Sequence, residues 1–276
     1  MEIINEIVKA VGAADIGTGV TAAGLGSIKK DSFVGMLYED IAQPSVQKLG
    51  LALSNISEIL VIPTLYIKHG SDLIKANLAN RVDSYKEKLD QIPPEKLIAV
   101  NPQIGIPIFE RLSYITNDEV AELYLNLLAK GSSSDTVNEA HPAFIQVLER
   151  LSADEAKLLK YLKEQHYIPF VTLRIELHNA TENAHSDTLK YSTMLQFEDI
   201  RYPDYTSFYI SNLIGSGILE VSDEYITNEP LYDTIIDRYK IHEIIGQISN
   251  VGTGIIVRGT IEVTAFGEAF LKACIV

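Results

Sequence analysis

Arg174, Glu176, His178, Glu182 and His185 are the residues of this chain whose types and spacing come nearest to chemistry. An arginine beside a histidine suits attack on a phosphodiester, because the guanidinium neutralises charge on the phosphate while the imidazole moves a proton. In ribonucleases built on that pair a helix presents both groups to the scissile phosphate. Arg174-x3-His178 is spaced more closely than is usual for that pair, on a stretch that reads as strand. Arg174, His178 and His185 are therefore the catalytic candidates, and the elements around them do not favour that role. A zinc site wants ligands converging from defined elements, such as two histidines one helical turn apart. His178 and His185 instead flank the polar tip of an expected hairpin and no third ligand is specified, so a surface loop is favoured and no metal is expected.

Other chemistry finds less support. Gly17-Thr18-Gly19 and Gly24-x-Gly26 resemble a phosphate-binding loop, but such a loop needs a preceding strand, a following helix and a Lys-Ser/Thr pair. Lys29-Lys30-Asp31-Ser32 does not supply that register, so no nucleotide or other cofactor is expected. The chain has no Gly-x-Ser-x-Gly elbow. Its one cysteine, Cys274, lies on the apolar side of the last helix and reads as a packing thiol. His141 before Pro142 reads as a helix-entry residue.

The elements that must position these groups divide the chain into two kinds of pattern. Helical spacing with identifiable caps dominates the first part. Pro44 opens one helix. A second is expected from Ser71 to Leu89, burying Ile74, Leu78, Val82, Tyr85 and Leu89. Asn101-Pro102 caps and starts a third. Thr116-x-x-Glu119 and Ser152-x-x-Glu155 read as capping boxes for the helices that follow them. From Ile168 the period shifts toward two, which predicts a hairpin of strands 168–177 and 189–195 around a polar tip at Asn179 to Asp187. A helix near Tyr205 to Ile214, a strand at 218–222, one helix over 229–249, a strand at 255–264 and a final helix complete the chain.

The expected fold is thus mainly α with a smaller α+β part: an N-terminal helical domain followed by a winged-helix-like C-terminal domain carrying a β-hairpin insertion. The boundaries are 1–30 for an amphipathic helix and glycine-rich segment, 31–151 for the helical domain and 152–276 for the winged-helix-like domain. In a DNA-binding winged helix the second helix enters the major groove with basic or amide side chains. Here that helix reads "DYTSFYISNLIGSG", with no lysine or arginine and Asp204 at its start. With a net charge of −14 as well, nucleic acid is disfavoured as a partner, and a packing or protein-contact role is preferred.

The segment 2–11 places Ile3, Ile4, Ile7 and Val8 on one face with Glu2, Asn5 and Glu6 opposite, a short amphipathic helix that must dock on something to be stable. The glycine-rich run after it is too short and too weakly apolar to span a bilayer, which takes about 20 apolar residues. The opening "MEIINEIVKA" lacks the basic-then-apolar order of a secretory signal, so a cytoplasmic location is the default.

The phrases "QPSVQKLG", "LYLNLLAKG", "HPAFIQVLERLSADEAKLL" and "TAFGEAFLKAC" resemble the Abi-alpha (abortive infection) family of bacterial proteins, over roughly residues 40–276. The resemblance implies a role in defence against phage. It implies no reaction, since these phrases describe caps, helix faces and turns. Four readings follow. The first is a non-enzymatic defence protein acting through a protein partner or a homo-oligomer, docking by Ile3, Ile4, Ile7 and Val8. The second is a membrane-perturbing effector released by infection, against which the acidic chain counts. The third is a toxin nuclease using the Arg174 to His185 region, and the fourth a winged-helix regulator that binds DNA.

Overall fold

The computed structural model describes Lys48, Leu51, Ala52 and residues 72–165, 167–178, 185–193, 200–222 and 229–275. These residues are mainly helical, with one small antiparallel sheet. The chain divides into two compact units between Glu149 and Arg150.

In the first unit α1 (Asp72–Asp90), α2 (Pro102–Leu112), α3 (Asp118–Gly131) and α4 (Ala143–Leu148) surround one core. The α1 stripe Leu78, Val82, Tyr85 and Leu89 is buried as its spacing predicts, and α3 is buried on nearly all sides, from Val120 to Leu128. Tyr85 meets Phe109 edge to face at 5.9 Å, and its hydroxyl shares a hydrogen bond with Ser132 Oγ, so its polar tip is satisfied inside the core. Asn101 Oδ1 accepts from the Gln103 N–H and caps α2. The next cap differs from the expected Thr116 box. Asn117 Oδ1 accepts from the Val120 N–H at 2.9 Å, so α3 starts one residue later. The asparagine carbonyl competes successfully for the free amides of the first turn.

The second unit begins with α5 (Ala153–Gln165), whose capping box forms in full: Glu155 Oε2 accepts from the Ser152 N–H at 2.7 Å while Ser152 Oγ accepts from the Glu155 N–H. Its strands are β1 (Tyr167–Leu177), β2 (His185–Ser192), β3 (Leu219–Ser222) and β4 (Gly252–Val263), in the order β2-β1-β4-β3 with every neighbouring pair antiparallel. β1 pairs with β4 along its whole length, from Tyr167 opposite Glu262 to Leu177 opposite Gly252. The expected hairpin thereby joins the sheet through β1, with β2 at one edge and β1 and β4 in the middle. β2 also starts earlier than the expected strand, and His185 and Asp187 belong to it rather than to the tip, because Asp187 stands opposite Arg174 and His185 opposite Glu176.

Val171 and Leu173 on β1 form a core cluster with Tyr232, Ile235, Ile236 and Ile241 from α7 (Glu229–Arg238) and α8 (Ile241–Ile248). The single helix expected over 229–249 is two, separated at Lys240, whose φ of 50° is left-handed. The break lets α7 and α8 turn their separate apolar faces to one cluster. The remaining helices are α6 (Thr206–Gly215) and α9 (Ala265–Cys274). Just beyond α6, Gly217 has a φ of 77° and reverses the chain so that the Ile218 N–H reaches the Leu213 carbonyl.

Candidate functional site

The distal end of the β1–β2 pair gathers the expected chemistry-bearing residues. Side chains two apart on a strand share a face, so the register puts Arg174 and Glu176 of β1 on the same face as Asp187 and His185 of β2. Arg174 forms a fork on Asp187, Nε to Oδ1 at 2.8 Å and Nη2 to Oδ2 at 3.2 Å. The hydrogen bonds from Arg174 hold the Asp187 carboxyl below its usual range, and those to Asp187 raise the guanidinium's pKa in turn. The charge that a phosphate would need is thus already matched across the strands. His178 follows β1, where its Nε2 lies 3.3 Å from Thr253 Oγ1. Among the described residues no three His, Cys, Asp or Glu side chains come together as a metal site. Cys274 is fully buried, and burial pushes its thiol pKa well up, away from nucleophile chemistry. Ile3, Ile4, Ile7 and Val8 lie outside the described residues.

A second polar arrangement, at the start of α5, escaped the sequence reading. Asp154 is buried, and its carboxylate accepts from the Arg201 N–H at 3.0 Å, the Tyr202 N–H at 3.1 Å and the Tyr209 hydroxyl at 2.9 Å. Burial acts to raise the pKa of this group, but the three hydrogen bonds outweigh it and leave the carboxyl below its ordinary range. Burial, then the bond to Asp154, pushes Tyr209 up to about 12. Beside it Glu155 Oε1 accepts from Asn212 Nδ2 at 2.6 Å, while Arg150 Nη2 donates to Asn212 Oδ1 at 3.1 Å. Two successive carboxylates of α5 therefore hold both the turn before α6 and the middle of α6.

That clamp decides which way α6 faces. Tyr209, Ile210 and Leu213 point inward and are buried. Tyr205 and Phe208 point outward and continue from Tyr202 in the preceding turn, at 59%, 63% and 52% exposure. Tyr202 and Tyr205 meet edge to face at 6.2 Å, and the Arg201 guanidinium lies 5.4 Å from the centre of the Tyr202 ring. Burying such side chains would be worth about 1.5–3 kcal/mol each, and the three neighbouring aromatics together form an exposed apolar patch. The available sequence signal was the threefold spacing Tyr202, Tyr205, Phe208. It is equally the spacing of a packed stripe.

What these arrangements define is a mainly helical protein with a small antiparallel sheet and an exposed aromatic helix face. It belongs to the abortive infection alpha family, whose model matches residues 73–274. No curated protein matches the chain. Among solved structures, an uncharacterised protein from the hydrocarbon-degrading marine bacterium Alcanivorax borkumensis SK2 is 16% identical, with 48% of this chain and 91% of that chain covered, at a TM-score of 0.33. Among the described residues no helix is long and apolar enough to cross a membrane.

Proposed function

We propose that this protein serves in abortive infection, a defence against phage, and that it acts in the cytoplasm by protein contact rather than by catalysis. The observation that carries the reading is the outward aromatic face of α6, set on a rigid buried clamp. Aromatic side chains dominate the energetics of protein contacts, and a surface fixed before binding loses little entropy on association. Arg174 paired to Asp187 and the buried Cys274 favour contact over chemistry. We read the second unit as winged-helix-like, with α5, α6, β3 and β4 as its elements and the β1–β2 hairpin as an addition. In that reading α6 holds the place of a recognition helix and offers tyrosine and phenylalanine where DNA readers offer cations. The segment bearing Ile3, Ile4, Ile7 and Val8 would add self-association.

Infection of cells making the chain tests this. The wild type is compared with a chain lacking residues 1–30 and with Tyr205→Ser/Phe208→Ser, each checked for folding by circular dichroism and for mass by light scattering. Lost protection in a folded variant supports action by contact. Protection untouched in both variants, with mass also unchanged, sinks it.

A further inference from the structure

The contact reading leaves open what the α6 face takes, and its chemistry narrows the answer. Tyr202, Tyr205 and Phe208 form a stripe whose aromatic faces carry negative quadrupole charge, and a cation held over such a face is attracted to it. One such contact already exists within the chain, the Arg201 guanidinium over Tyr202. Tyr205 and Phe208 are the more exposed members. Asp204 is exposed between Tyr202 and Tyr205 and offsets the exposed Arg201, and the whole chain carries −14, so the long-range field of the protein draws cations and repels phosphates. At this stripe the same charge opposes docking of a second copy by the same face, an anionic lipid surface or a nucleic acid strand. The stripe is also set in advance: Asp154 holds the backbone amides of Arg201 and Tyr202 and the hydroxyl of Tyr209. Tyrosine and phenylalanine have few rotatable bonds to order, so most of the contact energy remains for binding.

We propose that Tyr202, Tyr205 and Phe208, with Asp204 between them, dock a lysine- and arginine-rich extended segment of a partner protein. The inference rests on the protein-contact reading above and names the class of partner for it. The cations would lie over the rings of Tyr205 and Phe208, and Asp204 would pair with one of them. Binding of this kind depends on ring faces as well as on charge, which separates it from loose attraction to an acidic protein.

The test uses the full chain and a capped synthetic peptide of alternating arginine and glycine, with affinity measured by calorimetry. A glutamate-for-arginine peptide, a single-stranded oligonucleotide and phosphatidylserine vesicles are the competing probes. The arginine peptide should bind the wild type alone among them. Tyr205→Ser/Phe208→Ser should weaken it about tenfold or more, since each lost cation–π contact is worth about 0.5–1 kcal/mol or more. Asp204→Lys should weaken it further, while Tyr205→Phe, which keeps the ring, should leave affinity within about twofold. Equal binding by wild type and the double serine variant would overturn the proposal, as would no peptide binding or preference for the oligonucleotide or vesicles. Infection read in parallel separates the two levels. Protection lost in the double variant while the wild type ignores the peptide removes the basic partner and leaves action by contact standing.

Discussion

The second unit holds two polar arrangements of the same ingredients, a carboxylate satisfied by several donors, and they do opposite things. At the β1–β2 end Asp187 meets Arg174 at the surface, where water screens the pair and the partners join strands that the backbone ladder already joins. At the start of α5 Asp154 is buried, and its donors come from a turn and a helix that no ladder holds. The first arrangement carries the residues that look catalytic. The second carries none, yet it sets the direction of the most exposed aromatic face. Residue type alone therefore does not say what a polar cluster holds in place, and burial together with the number of elements joined does.

The comparison can be broken at either end. The largest effect is expected at the clamp. Asp154→Ala leaves two backbone amides and the Tyr209 hydroxyl without their acceptor, and should destabilise the chain by about 2–4 kcal/mol in urea unfolding, with early hydrogen exchange in α6. A loss no larger than that of a surface substitution would remove the clamp from the account.

Acid sharpens the same point. The Asp154 carboxyl is depressed in the folded state, so its contribution is fully present above the unfolded carboxylate pKa and is lost as pH falls through the folded value. Unfolding midpoints followed below about pH 4, the ordinary carboxylate value, should fall more steeply for the wild type than for Asp154→Asn. Parallel curves would mean that Asp154 titrates alike in both states.

Smaller effects are expected on the outer face of α6. Tyr205→Ser and Phe208→Ser should each move stability within about 0.5 kcal/mol, because their side chains stand mostly in water, while protection against phage falls. A large loss of stability instead would make them packing residues. The smallest effect belongs to the hairpin end. Arg174→Gln, His178→Ala and His185→Ala should leave both the thermal midpoint and protection nearly unchanged, and lost protection in a folded histidine variant would bring the nuclease reading back.

Much of the first unit was legible in advance because its signals are local. Leu78, Val82, Tyr85 and Leu89 repeat at helical spacing and are all buried, and Asn101 caps the helix that it precedes. Even there a neighbour could compete, as Asn117 did with Thr116. The candidate site was legible only as residues, not as geometry. Tyr202, Tyr205 and Phe208 have the spacing of a face, but spacing cannot say whether that face looks inward or out. Asp154, four residues after Arg150 and far along the chain from Tyr209, looked like an ordinary acidic first-turn residue.

The sequence by itself determined the buried stripe of α1, the Asn101 cap, the Ser152–Glu155 box, the change of period near Ile168, the acidic charge and the family. Each depends on residues within a few positions of one another or on composition alone. Only the tertiary structure decided the sheet order, the pairing of Arg174 with Asp187, the break at Lys240 and the outward turn of α6. These depend on contacts between residues 13 or more positions apart, whose partners are selected by packing and by the need to satisfy buried polar groups.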